Sequence, residues 1–335
     1  MIKHTQKLSN FLSRWTPVLI FIIIILGLFF GYFFPDKASV LEKMILPFMI
    51  LMLIPMMMSI VIRELRSVAK DKKIILLAVL INFIISPLVA FLWAKLFFSG
   101  LDPKFTAGWI LKLTVPCSAM MVAWTGMAKG KTETALVIQV VSFILAIFFV
   151  PFWMTVLASS YVTIDVYFII QKILLIIVLP MVIGISLREI IMKRIGAKNF
   201  REEIKPFLPP LSTLGMYIVV FSVISLEAKT IIANPKLIGI LVISIAVVYP
   251  LLFFLSILIA KKTKIKYENA IALGYSVTAK NHGITLAVAF SAFGGLSVLP
   301  AAFTPILQIL IMLAIYHLAK RIKKFIEPSF WDKLT

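Results

Sequence analysis

Acidic residues are scarce in this chain. Its 335 residues include 14 Asp and Glu against 34 Lys and Arg, and only 14% of all positions are charged. A soluble domain would be about 25% charged, so the composition excludes an ordinary soluble protein. The chain also has a single cysteine, Cys117, which excludes an intramolecular disulfide and a multi-thiolate metal site. No resident metal and no cofactor are expected.

A Walker A motif is also missing, which argues against ATP-driven pumping by this chain alone. The net charge of +20 suggests nucleic acid, but no basic patch is interleaved with exposed aromatic residues, so no nucleic-acid partner is expected. What the chain has in abundance is hydrophobic residues, at 61%. This is typical of a polytopic membrane protein, for which the lipid bilayer is the first partner.

Apolar runs of about 20 residues are long enough to cross the hydrocarbon core, and the sequence predicts a single all-α membrane domain over 1–335. Spans one to six fall in 1–187, a cytoplasmic connection in 188–207, and spans seven to ten in 208–335. The ten spans are predicted near 17–35, 44–62, 74–98, 107–127, 134–157, 166–187, 208–226, 237–260, 269–293 and 296–319.

Lys and Arg concentrate in alternate connections between these spans. If the N-terminus is cytoplasmic, the outer segments carry only Lys37, Lys43, Lys95, Lys104, Lys229 and Lys236. This asymmetry follows the positive-inside rule. It predicts a multi-pass plasma-membrane protein with both termini in the cytoplasm.

Ten spans divide into two halves of five, and an odd number of spans places the second half upside-down in the membrane. The fourth span carries Pro116 and Cys117 near its middle, and the ninth carries Lys280 to Gly283. Each is the fourth member of its half, and matched interrupted helices indicate the binding site of a secondary transporter. The sequence therefore predicts two inverted five-helix repeats, with helix breaks at Pro116 and Gly283 and the two broken helices crossing.

Lys280, Asn281 and His282 follow one another inside the ninth span. A charged side chain at mid-membrane costs roughly 2.5–3.5 kcal/mol on insertion scales and is usually functional. We expect Lys280 to act as a built-in cation at the break, the alternative being a lysine that snorkels to the interface. For Lys112, near the end of the fourth span, snorkelling is the preferred interpretation.

The fourth-span run Pro116-Cys117-Ser118-Ala119-Met120-Met121 resembles the signature of arsenite-efflux permeases. These form the arsenical-resistance branch of the bile acid/arsenite/riboflavin transporter superfamily. In the ninth span, Asn281 and 286–289 are similar to the second half of that family's Asn-Asn-Phe-Glu-Leu-Ala pattern. The resemblance implies a bile acid symporter-like fold and a metalloid contact at Cys117.

The chain departs from its relatives at the acidic positions. The ninth-span glutamate of arsenite permeases falls on Gly283, and the tenth-span acidic position is Gln308. The first ninth-span asparagine of the pattern falls on Lys280. Against the sodium-coupled bile acid branch, the ninth-span glutamate and glutamine fall near Ser276 and Lys280. These departures argue against sodium coupling, with Lys280 replacing the coupling cation.

The remaining site residues have open alternatives. Cys117 is a soft ligand that suits thiophilic metalloids, or a small core hydrophobe. His282 is a proton acceptor or substrate contact, or a structural histidine. Gln308 lines the cavity or bonds a neighbouring helix. Ser118 and Asn281 complete the predicted substrate site.

The resulting hypothesis is a non-enzymatic secondary transporter for a small molecule or oxyanion. Arsenite or antimonite efflux is the first candidate because of Cys117, and sodium-independent transport of an organic anion is the alternative, since Lys280 leaves the site positive. An intramembrane enzyme with Cys117 as nucleophile and His282 as base is a distant alternative. The sequence leaves direction, proton coupling and oligomeric state open.

Overall fold

The computed structural model describes residues 2–59, 72–163 and 165–327. Within those ranges the chain forms helices and contains no strand beyond one isolated bridge. The first part of the chain gives α1 Ile2–Phe33, α2 Pro35–Met58, α3 Lys72–Phe97, α4 Pro103–Thr114, α5 Met120–Met127 and α6 Thr132–Leu157. Helix α3 contains a π-helical turn at Ile81–Ile85.

The second part begins with α7 Val166–Ile173, which continues through a π-helical turn at Leu174–Val178 into the next helix. The remaining helices are α8 Leu179–Asn199, α9 Leu208–Leu226, α10 Ala228–Ala233, α11 Pro235–Lys262, α12 Tyr267–Thr278, α13 His282–Ala292 and α14 Leu299–Ile326.

Proline and aspartate set several of the helix starts. Pro35, Pro103 and Pro235 each occupy the first turn of their helix, where the missing N–H would have had no intrahelical partner. Asp102 caps α4 by accepting hydrogen bonds from the backbone N–H groups of Lys104 and Phe105 at 2.8 and 3.2 Å. The starts of these helices are thus defined by local sequence.

Six stretches of the described residues are long and apolar enough to cross a bilayer. They are Pro35–Met58, Lys72–Phe97, Thr132–Ser160, Tyr167–Leu226, Pro235–Lys262 and Gly295–Ile326. The predicted class, an all-α multi-pass membrane protein, is confirmed by these stretches and by the helical secondary structure.

The helices pack as two groups. Helices α1, α2, α8 and α9 form one group, and α3–α6 with α11–α14 form the other. Gly215 of α9 allows close approach within the first group, because a Cβ there would lie 2.8 Å from the Met52 Cβ of α2. The groups meet where α13 packs on α2 and α7, and where α1 packs on α14.

Helical structure continues through the predicted connection 188–207. The sixth span was predicted to end near residue 187, and its helix α8 continues to Asn199, with one non-helical residue at Gly196 (φ 85°). The predicted connection 188–207 is helical, ending in a π-turn at Phe200–Ile204 and a 3-10 turn at Lys205–Phe207. The predicted second span reaches residue 62, and its residues 60–62 lie outside the described ranges.

Candidate functional site

The first helix break separates α4 from α5. Helix α4 ends at Thr114, and Val115 is extended, with φ −62° and ψ 158°. The residue before a proline is disfavoured in the helical region, so Pro116 explains why α4 stops here. Cys117 and Ser118 lie in the break, and α5 begins at Met120. Pro116, a predicted break residue, lies between α4 and α5.

The second break separates α12 from α13. Helix α12 ends at Thr278, and Ala279, Lys280 and Asn281 are non-helical. The Asn281 side chain accepts a hydrogen bond from Ile284 N at 2.9 Å and so caps α13. Gly283, predicted to form the break, instead lies in the first turn of α13. The cap at Asn281 starts the helix before the glycine.

Gly283 has a packing role that its conformation did not suggest. A Cβ at this position would lie 2.8 Å from the Met52 Cε of α2. The glycine therefore lets α2 approach the start of α13. Met56, one turn further along α2, accepts a hydrogen bond at its Sδ from the Asn281 Nδ2, at 3.2 Å. The two groups of helices touch at the second break.

The two breaks cross and pair with each other. Ser118 N donates to Ala279 O at 2.7 Å, and Asn281 N donates to Pro116 O at 3.0 Å. These bonds form an antiparallel bridge between Cys117 and Lys280. Backbone polar groups freed at membrane depth need internal partners, and here each break supplies them to the other. Helices α5 and α13 both start at this crossing.

The Lys280 ammonium is enclosed by oxygen atoms. Its side chain is fully buried, and Nζ donates to Asn82 Oδ1 at 3.2 Å, Asn82 O at 3.4 Å and Val115 O at 3.1 Å. Val115 O is a carbonyl freed at the carboxyl end of α4, where the helix dipole favours a cation. Snorkelling to the interface is thereby excluded for Lys280.

Asn82 is the residue that the sequence analysis missed. It lies in the π-helical turn of α3, where its Nδ2 donates to Ser276 Oγ at 2.8 Å and to Ala78 O at 3.0 Å. Its oxygens are thus oriented toward Lys280 by bonds on its other side. The available signal was a lone carboxamide in the otherwise apolar run 74–85.

Lys112 is the second buried ammonium, and the snorkelling prediction for it is wrong. Its side chain is fully buried, because α4 ends inside the protein at the break and not at the membrane surface. Lys112 Nζ lies 2.9 Å from His282 Nδ1 and 3.5 Å from Lys280 O. The structure therefore brings Lys112, Lys280 and His282 together at the crossing.

Cys117 and Ser118 follow Pro116 in the first break. The Cys117 thiol is fully buried, next to Ser142 of α6. The Ser118 Oγ is buried without a hydrogen-bond partner among the described residues, as is Nε2 of His282. Buried polar groups are normally paired, so these two atoms at the crossing are available to a ligand.

Gln308 stands apart from these bonds. It is fully buried on α14, and neither its amide nitrogen nor its oxygen has a partner in the described part of the chain. It lies one helical turn after Thr304, whose hydroxyl donates a hydrogen bond to Pro300 O in the same helix. The structure does not join Gln308 to the crossing by a hydrogen bond.

Carboxylates lie away from the crossing. Glu227 directly follows the last residue of α9. Burial raises the pKa of its carboxyl, and nearby Lys104 lowers it in part. Glu227 lines a surface cavity of about 420 Å³ with Glu42 and Lys172. In the parts of the chain that are described, no group of three or more His, Cys, Asp and Glu could hold a metal ion.

Comparison with known proteins finds relatives over most of the chain. The chain is 22% identical to the arsenical-resistance protein Acr3 of Corynebacterium glutamicum, covering 92% of this chain and 88% of that protein. It is 25% identical to the Acr3 of Alkaliphilus metalliredigens, covering 88% and 87%. It is 24% identical to the uncharacterized sodium-dependent transporter YocS of Bacillus subtilis, covering 95% of each.

A sequence model of the sodium bile acid symporter family matches residues 46–234, more than half of the chain. The predicted resemblance is confirmed, as is a non-enzymatic membrane transporter. The chain belongs to the sodium bile acid symporter family.

Proposed function

We propose that the protein is a sodium-independent secondary transporter in which the Lys280 ammonium replaces a coupling cation. The observation that carries this proposal is the oxygen cage around Lys280 Nζ, made by the side-chain and backbone oxygens of Asn82 and by Val115 O. Carbonyl and amide oxygens are ligands that hard cations use. An ammonium already fills the space between them, so a sodium ion has no vacancy there.

In this proposal the transporter works by alternating access. The first two spans of each predicted half pack in one group of helices, and the last three spans of each half pack in the other. The broken helix is the fourth in both halves. This arrangement supports ten spans built as two inverted repeats. In this proposal both termini face the cytoplasm of a plasma-membrane protein.

Arsenite or antimonite efflux is the first substrate candidate. Cys117 supplies a soft sulfur ligand inside the first break, next to the unpaired Ser118 Oγ. Two of the relatives carry the name arsenical-resistance protein. One thiol with neighbouring oxygens holds the metalloid weakly, which suits a site that must release its substrate.

An organic anion is the second candidate, and Lys112 favours it. Lys112, Lys280 and His282 gather at the crossing, and no carboxylate in the described residues bonds to any of them. A cluster of basic groups at membrane depth favours a negative ligand. Neutral arsenous acid would gain nothing from this charge.

Flux of arsenite into inside-out vesicles tests the choice of substrate. If arsenite is the substrate, Cys117→Ser and Cys117→Ala should each lower its uptake at least tenfold, because both remove the sulfur while keeping a small side chain. Uptake that is unchanged in both variants would contradict the metalloid role of Cys117. Taurocholate, measured in the same vesicles, reports on the organic-anion candidate.

A further inference from the structure

Lys112 and His282 form a contact whose protonation the proposed transport function leaves unassigned. Lys112 Nζ and His282 Nδ1 are 2.9 Å apart, a hydrogen-bond distance between two basic groups. Lys112 is fully buried and His282 is 7% exposed. The pair lies at the start of α13 and the end of α4, on the crossing.

The contact distance limits the number of protons on the pair. If Lys112 is an ammonium and donates to Nδ1, the imidazole is neutral and carries its hydrogen on Nε2. If both groups were cations, two positive donors would face each other at 2.9 Å in a buried site, which is strongly repulsive. The pair therefore holds at most one positive charge, and a second proton on it needs a compensating negative charge.

The surroundings supply no negative charge that would admit that proton. Besides the pair, the titratable groups at the crossing are Lys280 and Cys117. The described parts of the helices packed around it carry their other charged groups toward the ends. Of these, Lys95 of α3, Glu133 of α6, His317 of α14, and Asp36 and Glu42 of α2 are exposed, and Lys172 of α7 lines the outer cavity.

An anion would supply the missing charge, and the crossing has donors for one. His282 Nε2 is buried without a partner, and so is Ser118 Oγ. His282 is the first residue of α13, and Ser118 lies two residues before the start of α5. Each atom is therefore beside the amino end of one helix, where the helix dipole favours an anion. An anion seated there would stabilise a second proton on the Lys112–His282 pair. By linkage, a proton on the pair would strengthen anion binding by the same factor.

We propose that the Lys112–His282 pair binds one proton together with an anionic substrate, so that the protein is a proton-coupled anion symporter. This inference rests on the proposed transport function and selects the anion between its two substrates. The proton comes from water on the side where the anion loads, and it returns to water on the side where the anion leaves. Lys280 stays in its oxygen cage as the fixed cation.

Proteoliposomes that contain a pH-sensitive dye test this proposal. The probe is taurocholate, whose sulfonate stays ionised at every working pH, so that any coupled proton must be carried by the protein. An inward taurocholate gradient should acidify the lumen by about one proton per anion. Lys112→Met and His282→Asn should each lower this acidification at least fivefold. Lys95→Met and His317→Asn, which change exposed residues of the same types, should leave it intact.

Other outcomes separate the inference from the transport function. Taurocholate flux without acidification overturns the inference and leaves a transporter. Flux of arsenous acid alone, with no flux of taurocholate, overturns the inference and leaves the metalloid candidate.

If neither probe crosses the membrane, the transport function fails for both substrates. Proton uptake by the purified protein in unbuffered detergent solution then tests the inference. Uptake of about one proton per protein on adding taurocholate supports the proton-binding pair, and no uptake overturns it.

Discussion

Asn82 shows how a single carboxamide organises a buried cation. Its nitrogen bonds Ser276 Oγ and Ala78 O, while its side-chain and backbone oxygens accept from Lys280 Nζ. Each of these polar groups has a hydrogen-bond partner within the network, which reduces the cost of burying the lysine. In the sodium-coupled bile acid branch, a glutamate falls near Ser276. In this chain the position carries the neutral hydroxyl of Ser276, which is consistent with a lysine ammonium in place of a bound cation.

Asn82→Ala should destabilise the protein by about 1–3 kcal/mol, because it removes one acceptor of a buried ammonium and the donor to Ser276 Oγ. The thermal-unfolding midpoint in detergent should fall by several degrees. Asn199→Ala changes an exposed asparagine of α8 and is the matched control. An equal midpoint for the two variants would contradict the role of Asn82 in holding Lys280.

The broken helices show which structural features were readable from sequence. Pro116 predicts the first break because proline restricts the residue before it, and the charged run 280–282 locates the second. Gly283 suggested the position of the second break, but α13 already starts at the Asn281 cap. The glycine instead allows the close approach of α2. The burial of Lys112 was also missed. Its depth depends on α4 ending inside the protein, which is a tertiary property.

Gly283→Ala should destabilise the protein, because the added Cβ would lie 2.8 Å from Met52 Cε. Met52→Ala in the same chain should recover part of that loss by removing the opposing atom, giving a coupling energy of about 1 kcal/mol in a double-mutant cycle. Thermal unfolding of the four proteins measures it. Gly239→Ala is the control, since nothing lies within 4 Å of a Cβ there. Additive effects of Gly283→Ala and Met52→Ala would refute the contact.

At the scale of the molecule, the basic residues at the crossing and those elsewhere in the chain serve different ends. Most of the basic residues behind the +20 charge lie outside the predicted spans, as the positive-inside rule would have it. Three basic residues, Lys112, Lys280 and His282, lie instead at the crossing. The family and the helical class were predictable from composition and motif. The pairing of Lys112 with His282 was not, because it joins residues from two distant helices.

Impermeant maleimide labelling tests the predicted topology. In a Cys117→Ser background, Lys229→Cys should react from outside intact cells, because Lys229 lies in a predicted outer segment and is exposed. Lys129→Cys, equally exposed, should react only after the membrane is permeabilised. The opposite pattern would reverse the assignment of both termini to the cytoplasm.

The role of Lys280 as a substitute for the coupling cation is tested most directly by substrate flux in proteoliposomes with sodium present or replaced by an impermeant cation. Whichever of arsenite and taurocholate is transported serves as the probe. Wild-type flux should be equal in both media. Lys280→Ala should lose at least tenfold of it in sodium-free medium, while Lys95→Met keeps it. Wild-type flux that requires sodium, or normal sodium-free flux by Lys280→Ala, would contradict this role.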